Sequence, residues 1–206
     1  MTEHQLRIIF MGTPDFAVPC LRTLLDTEHD IVGVVSQPNR RVGRGRRMGQ
    51  TPVAALAELH GSTLYQWPRL NNESYSTLKG LKPDLAVVVA YGKILPQRYL
   101  ELPRFGCLNV HSSLLPRLRG AGPIQRAVID GHEKSGVTIM RLDAGMDTGD
   151  VAYQSAVDIG PDETAGQLHD RLAELGAHSL MKVITQICDG TVAYAPQNHE
   201  AATHAP

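Results

Sequence analysis

The stretch LRIIFMGTPDFAVPCLRTLL, residues 6–25, reads as a strand, a tight turn and a helix in immediate succession. Residues 6–11 form an apolar run rich in isoleucine, of a length suited to a strand buried on both faces. Gly12-Thr13-Pro14-Asp15 interrupts it, and apolar residues then recur at helical spacing to about Leu25. Thr13 as N-cap, Pro14 as first helical residue and Asp15 in the first turn predict where that helix starts.

The alternation continues outward from this unit. Residues 31–35 repeat the strand signal, a polar loop spans 36–50, Thr51-Pro52 restarts a helix ending near Gly61, and 63–66 is a brief strand. Asn71 or Asn72 caps a further helix to Gly80, and 85–90 is a strand apolar on both faces. Strands at 107–110, 137–142 and 151–157 and helices at 122–130 and 165–188 complete the pattern. Continuous apolar strands alternating with helices predict an α/β fold with a mostly parallel sheet flanked by helices on both faces. The expected organisation is one domain over residues 1–189 and a polar, alanine-rich, linker-like tail over 190–206.

Composition narrows the function classes. With 206 residues, 42% apolar and 20% charged, the chain matches an ordinary globular domain. The longest apolar run, 85–91, is far below the roughly 20 residues of a membrane span, and no basic leader precedes a long apolar segment. The expectation is a cytoplasmic protein without a membrane partner. Cys20, Cys107 and Cys188 are odd in number and scattered, which speaks against disulfides and zinc, and no metal is expected. The net charge of −1 conceals a local excess, because Arg40, Arg41, Arg44, Arg46 and Arg47 crowd one glycine-spaced loop. A basic loop on a mildly acidic body predicts a local phosphate contact.

Neither GxGxxG nor GxxxxGK[ST] occurs, so no nucleotide-binding fingerprint is present. Asn109-Val110-His111 ends the strand from Cys107, and strand alternation turns Asn109 and His111 to one side. A carboxamide donates to a developing oxyanion and an imidazole moves a proton, a pairing suited to acyl transfer; the same spacing also serves as a strand-end cap. Asp143, Asp147 and Asp150 share a turn-rich segment in which Asp147 is placed to orient His111, or in which all three merely face water. SSLLPRLRG, residues 112–120, joins an apolar Leu-Leu-Pro elbow to Arg117 and Arg119, fit to wall a flat heteroaromatic ligand.

Six ordered stretches are specific: RIIFMGTPDFA from Arg7, VGVVSQPNRRVGRGRR from Val32, VVVAYGKILP from Val87, GCLNVHSSLLPRLRGAGPIQRA from Gly106, GVTIMRLDAGMDTGDV from Gly136 and ETAGQLHDRLAELGA from Glu163. Together they resemble the N-terminal catalytic domain of the methionyl-tRNA formyltransferase family. The resemblance implies a Rossmann-like formyltransferase fold, with Asn109, His111 and Asp147 as catalytic residues. It implies that Ser113, Leu114, Leu115 and Pro116 form a tetrahydrofolate-binding loop and that Val89, Ala90 and Tyr91 belong to the pterin pocket. Arg40, Arg41, Arg44, Arg46 and Arg47 lie where the family inserts a loop into the acceptor arm of initiator tRNA. The implied reaction moves formyl from 10-formyltetrahydrofolate to the α-amino group of methionyl initiator tRNA, without a metal. The family continues into a C-terminal β-barrel that helps hold tRNA and is absent from this sequence, so tRNA binding is expected to be weak and salt-dependent. Glycinamide ribonucleotide and sugar-amine formyltransferases share the Asn-x-His, the loop and the aspartate; the arginine insertion and GTPDFA favour the tRNA-dependent enzyme. A non-catalytic folate-binding module is the remaining alternative.

Overall fold

The computed structural model describes residues 5–42 and 47–206. Its contacts divide the chain into two compact units, Met1–Cys107 and Leu108–Pro206, where the sequence led us to expect one domain over 1–189.

The first unit is built from β1 (Arg7–Gly12), α1 (Val18–Leu25), β2 (Asp30–Val35), β3 (Arg40–Val42), β4 (Arg47–Gly49), α2 (Pro52–Leu59), β5 (Leu64–Tyr65), α3 (Asn72–Gly80), β6 (Leu85–Val89) and α4 (Gln97–Leu100). The strand β1 pairs in parallel with β2 on one side and β6 on the other, and β5 adds in parallel to β2. Ile8 through Gly12 and all of β6 are buried, which accounts for apolar runs without a polar phase. Local capping decides two helix starts as expected. The Thr51 hydroxyl accepts from the Ala54 amide, and Asn71 forms a reciprocal capping box with Ser74.

Two local expectations change. A 3-10 turn, Asp15–Ala17, comes before α1, and Thr13 does not cap it. The Thr13 hydroxyl instead donates to the Tyr91 carbonyl at 3.1 Å and accepts from the Gln37 amide at 3.4 Å, because the neighbouring strand ends offer those partners. The polar segment after β2 is not wholly loop: β3 and β4 pair as an antiparallel hairpin. Of the arginines in this segment, Arg44 and Arg46 lie outside the described residues.

The second unit holds most of β7 (Cys107–His111), then α5 (Pro123–Ile129), β8 (Lys134–Arg141), β9 (Val151–Asp158) and α6 (Ala165–Cys188). Here the pairing is antiparallel, β7 to β8 and β8 to β9. The parallel β1, β2, β5 and β6 ladders and these antiparallel ones together give the α/β class read from the sequence. The amphipathic α6 buries Leu168, Leu172, Leu180, Val183 and Ile184, and Thr164 caps it with Gln167. The tail does not behave as a linker. Thr203 and Ala205 exchange backbone hydrogen bonds with Arg119, and Ala205 is fully buried. Those bonds satisfy backbone groups that a polar composition alone would assign to water.

Gly12 shows why the first turn is so tight. A Cβ there would lie 2.7 Å from the Phe10 ring, 2.9 Å from the Ala17 Cβ and 3.0 Å from the Val89 carbonyl oxygen. Gly12→Ala overpacks this point and is expected to cost about 1–3 kcal/mol. Urea unfolding checks it, as a lower midpoint with an unchanged slope.

Candidate active site

His111 ends β7 and is 6% exposed. Its Nε2 lies 3.0 Å from the Leu118 carbonyl oxygen and its Nδ1 lies 3.7 Å from Asp147 Oδ2. The neutral ring with its proton on Nε2 donates to Leu118 and leaves Nδ1 as a base facing the carboxylate. At 3.7 Å that carboxylate stands beyond hydrogen-bond length from Nδ1.

Asp147 reaches the histidine from an unusual backbone. Its φ is +53°, a left-handed conformation that aspartate tolerates better than most residues. The Gly120 amide donates to Asp147 Oδ2 at 2.9 Å. Gly120 itself has φ +116°, and a Cβ there would run into the Ala205 carbonyl. One segment, 118–120, thus supplies the carbonyl for His111 and the amide for Asp147.

Asn109 sits two residues before His111 on β7, opposite Met140, and is half-buried. Among the described residues its carboxamide has no hydrogen-bond partner, which leaves the NH2 free to meet a substrate oxygen. Of the three residues singled out in the sequence, the structure sets Asp147 beside His111 and places Asn109 two residues earlier on the same strand.

The 113–116 loop follows directly. Thr138, fully buried and paired with His111 in register, donates its hydroxyl to the Ser113 carbonyl at 2.7 Å and accepts from the Leu115 amide at 3.1 Å. Gln154 donates to the Leu115 carbonyl at 2.7 Å and to the Thr138 hydroxyl at 2.9 Å. The Ser113 hydroxyl turns inward to the Arg117 carbonyl, and Leu115-Pro116 is a cis peptide. Polar groups of Ser113 and Leu115 are thus used to shape the loop, leaving the half-buried Leu114 and Pro116 as apolar surface.

Val89, Ala90 and Tyr91 belong to the first unit. Val89 and Tyr91 are buried there, whereas Ala90 is exposed with φ +46°. The Tyr91 carbonyl accepts from Thr13 and from Gln37 Nε2 at 3.1 Å, but among the described residues its hydroxyl has no partner. Burial, with a smaller contribution from Tyr99, pushes the phenol up to about 12. Lys93 donates to the Trp67 and Pro68 carbonyls, and burial together with Arg40 lowers its pKa. Arg40 is exposed at the start of the β3–β4 hairpin that also carries Arg41 and Arg47.

Sequence reasoning did not single out Thr138, Gln154 or Gln197. Thr138 leaves a trace, a hydroxyl between the apolar Val137 and Ile139. The glutamines leave none, since their partners are remote. Among the described residues no cluster of histidine, cysteine and carboxylate side chains has the makings of a metal site. No described helix is long and apolar enough to cross a membrane.

A half-buried carboxamide on the same strand as an imidazole that faces a carboxylate is an arrangement capable of acyl-group transfer. The model of the formyl transferase family matches residues 6–184, and the chain belongs to that family. Methionyl-tRNA formyltransferase of Alkaliphilus oremlandii is 50% identical over 202 residues, covering 98% of this chain and 65% of the relative. The methionyl-tRNA formyltransferase of Pseudomonas fluorescens is 50% identical over 206 residues, 100% of this chain and 64% of that protein. The chain thus spans about two thirds of the length of these curated relatives. In fold it is similar to glycinamide ribonucleotide transformylase 1 from Symbiobacterium toebii, with a TM-score of 0.79 at 19% identity over 93% of this chain and 95% of that one. It is also similar to the N-formyltransferase from Helicobacter canadensis in complex with folinic acid and dTDP-3-aminofucose, with a TM-score of 0.74 at 21% identity over 98% and 71%.

Thr138→Val removes the hydroxyl from three hydrogen bonds and orphans the Leu115 amide. The expected cost is about 1–3 kcal/mol in chemical denaturation. Tyr91 generates a pH effect. Its folded pKa of about 12 stands above the ordinary value of 10.0, so in that window the native state holds a proton the unfolded chain has lost. This group's contribution is intact below about pH 10 and is lost as pH climbs towards about 12. Tyr91→Phe should remove that alkaline slope without loss of stability at neutral pH, as read from denaturation across the pH series.

Proposed function

We propose that this chain transfers the formyl group of 10-formyltetrahydrofolate to the α-amino group of methionyl initiator tRNA. The observation that carries the reading is the placement, on one strand, of an Asn109 carboxamide unpartnered among the described residues and a buried His111 held between Leu118 and Asp147. Similarity to methionyl-tRNA formyltransferases along nearly the whole chain supports the choice of acceptor.

The neutral amine attacks the formyl carbon, and Asn109 donates to the oxygen that becomes negative. His111 takes the proton from the amine through the nitrogen facing Asp147 and passes it to the departing folate nitrogen. The carboxylate stabilises the imidazolium between those events. Leu114 and Pro116 supply apolar contact for the folate, within the stretch Ser113 to Pro116, and Val89 to Tyr91 contribute to the pterin site. Arg40, Arg41, Arg44, Arg46 and Arg47 contact tRNA phosphates, and the protein works in the cytoplasm.

The test measures formyl transfer to methionyl initiator tRNA at several salt concentrations. Asn109→Ala and Asp147→Asn are each expected to lower kcat by roughly 10²–10³. Transfer should fade as salt rises, and substituting the arginines should flatten that dependence. Wild-type turnover in both site variants overturns the mechanism. Faster transfer to glycinamide ribonucleotide or to an amino-sugar nucleotide than to tRNA overturns the acceptor.

A further inference from the structure

We propose that Gln197, in the tail beyond α6, is a positioning residue that sets the reach of the Asp147 carboxylate towards Gly120 and His111. Its kinetic consequences rest on the function proposed above, whereas its structural consequence stands apart from it.

Gln197 is 7% exposed, and every hydrogen-bonding site on its carboxamide is used. Nε2 donates to the Asp147 carbonyl at 2.9 Å and to the Gly149 carbonyl at 2.7 Å. Oε1 accepts from Arg119 Nε at 3.2 Å and Nη2 at 2.7 Å. These partners fix the amide orientation, since the flipped group would set its oxygen against two carbonyls and its NH2 against a guanidinium. The buried Arg119 is steadied in turn by His199 Nδ1 at 3.1 Å.

What Gln197 grips is the turn whose conformation aims the carboxylate. Asp147 sits at φ +53°, and φ governs where its Cβ points. Holding the Asp147 and Gly149 carbonyls on either side of Thr148 keeps that turn from relaxing to an ordinary φ, which would carry Oδ2 away from the Gly120 amide and His111. The same tail braces the opposite jaw. The Leu118 amide donates to the Thr203 hydroxyl at 2.9 Å, the Arg119 amide to the Thr203 carbonyl at 2.9 Å, and the Ala205 amide to the Arg119 carbonyl at 2.7 Å. Both segments that touch His111 are therefore referenced to residues 197–205, and Gln197 is the side chain that reaches the aspartate's own backbone.

Gln197→Glu tests this with the least change, since it preserves length and the acceptors for Arg119 but offers no donor to the two carbonyls. Gln197→Met removes both functions, and Gln197→Asn, one methylene shorter, serves if Gln197→Met fails to fold. Asn198→Ala, which loses only the cap on the Glu200 amide, controls for loosening of the tail. The first readout is hydrogen exchange of the Gly120 amide by NMR. Exchange about tenfold faster in the Gln197 variants and unchanged in Asn198→Ala is expected. The second is formyl transfer, with kcat lower by about 10- to 100-fold and KM for the folate donor within about twofold. In a double-mutant cycle, Gln197→Glu should cost little more once Asp147→Asn is present. Wild-type Gly120 protection in folded Gln197 variants overturns the proposal, as do losses that multiply in the cycle or an Asn198→Ala variant that behaves as they do. If the unsubstituted protein transfers no formyl group, the function proposed above fails, and Gly120 exchange alone decides the role of Gln197.

Discussion

An imidazole taken out of water needs a partner for each nitrogen, and much of the second unit follows from how His111 is supplied with them. One partner is a main-chain carbonyl seven residues downstream and the other a carboxylate on a separate turn. Neither lies in regular structure, so neither is positioned by a helix or sheet ladder. The 118–120 segment and the 147–149 turn have to be stiffened by other means. Gly120 gives way to the tail, Asp147 adopts a left-handed φ, and buried side chains close the backbone gaps.

The same economy of hydrogen bonds governs the loop between the histidine and its carbonyl partner. Thr138 and Gln154 stand on neighbouring antiparallel strands, paired in register, and hold the loop by its backbone. Their bonds leave the half-buried Leu114 and Pro116 side chains as the loop's contribution to an apolar surface. Asn109, on the strand that ends in His111, has no such bond among the described residues. Under the function proposed above, a substrate oxygen completes that half-buried carboxamide.

Much of this was legible in the sequence, and the division between legible and hidden follows the range of the interactions. Strands such as β1 and β6 were plain because burial on both faces writes an unbroken apolar run. Thr51 and Asn71 were readable as caps because a cap involves residues three apart. Asn109, His111 and Asp147 carried a recognisable pattern, although nothing local showed that Asp147 would sit at positive φ. Thr13 looked like a cap and was not, since a carbonyl 78 residues away competed for its hydroxyl. Gln197 was invisible for a similar reason. Its partners lie 48 to 78 residues upstream, and a glutamine in a polar tail reads as solvent-facing.

The reach of those bonds also sets an order of assembly. The His111 and Asp147 segments are 36 positions apart, but the bond from Leu118 to Thr203 spans 85 and that from Arg119 to Gln197 spans 78. Contacts this distant in sequence form only after the intervening chain has paid its loop-closure entropy. During synthesis, when the chain emerges from its N-terminal end, β7 is available long before residues 197–205 are. The pairing of His111 with Asp147 is therefore among the last features of the second unit to reach its final geometry, and a nascent chain folded only through α6 holds its histidine between two segments that still lack their contacts with residues 197–205.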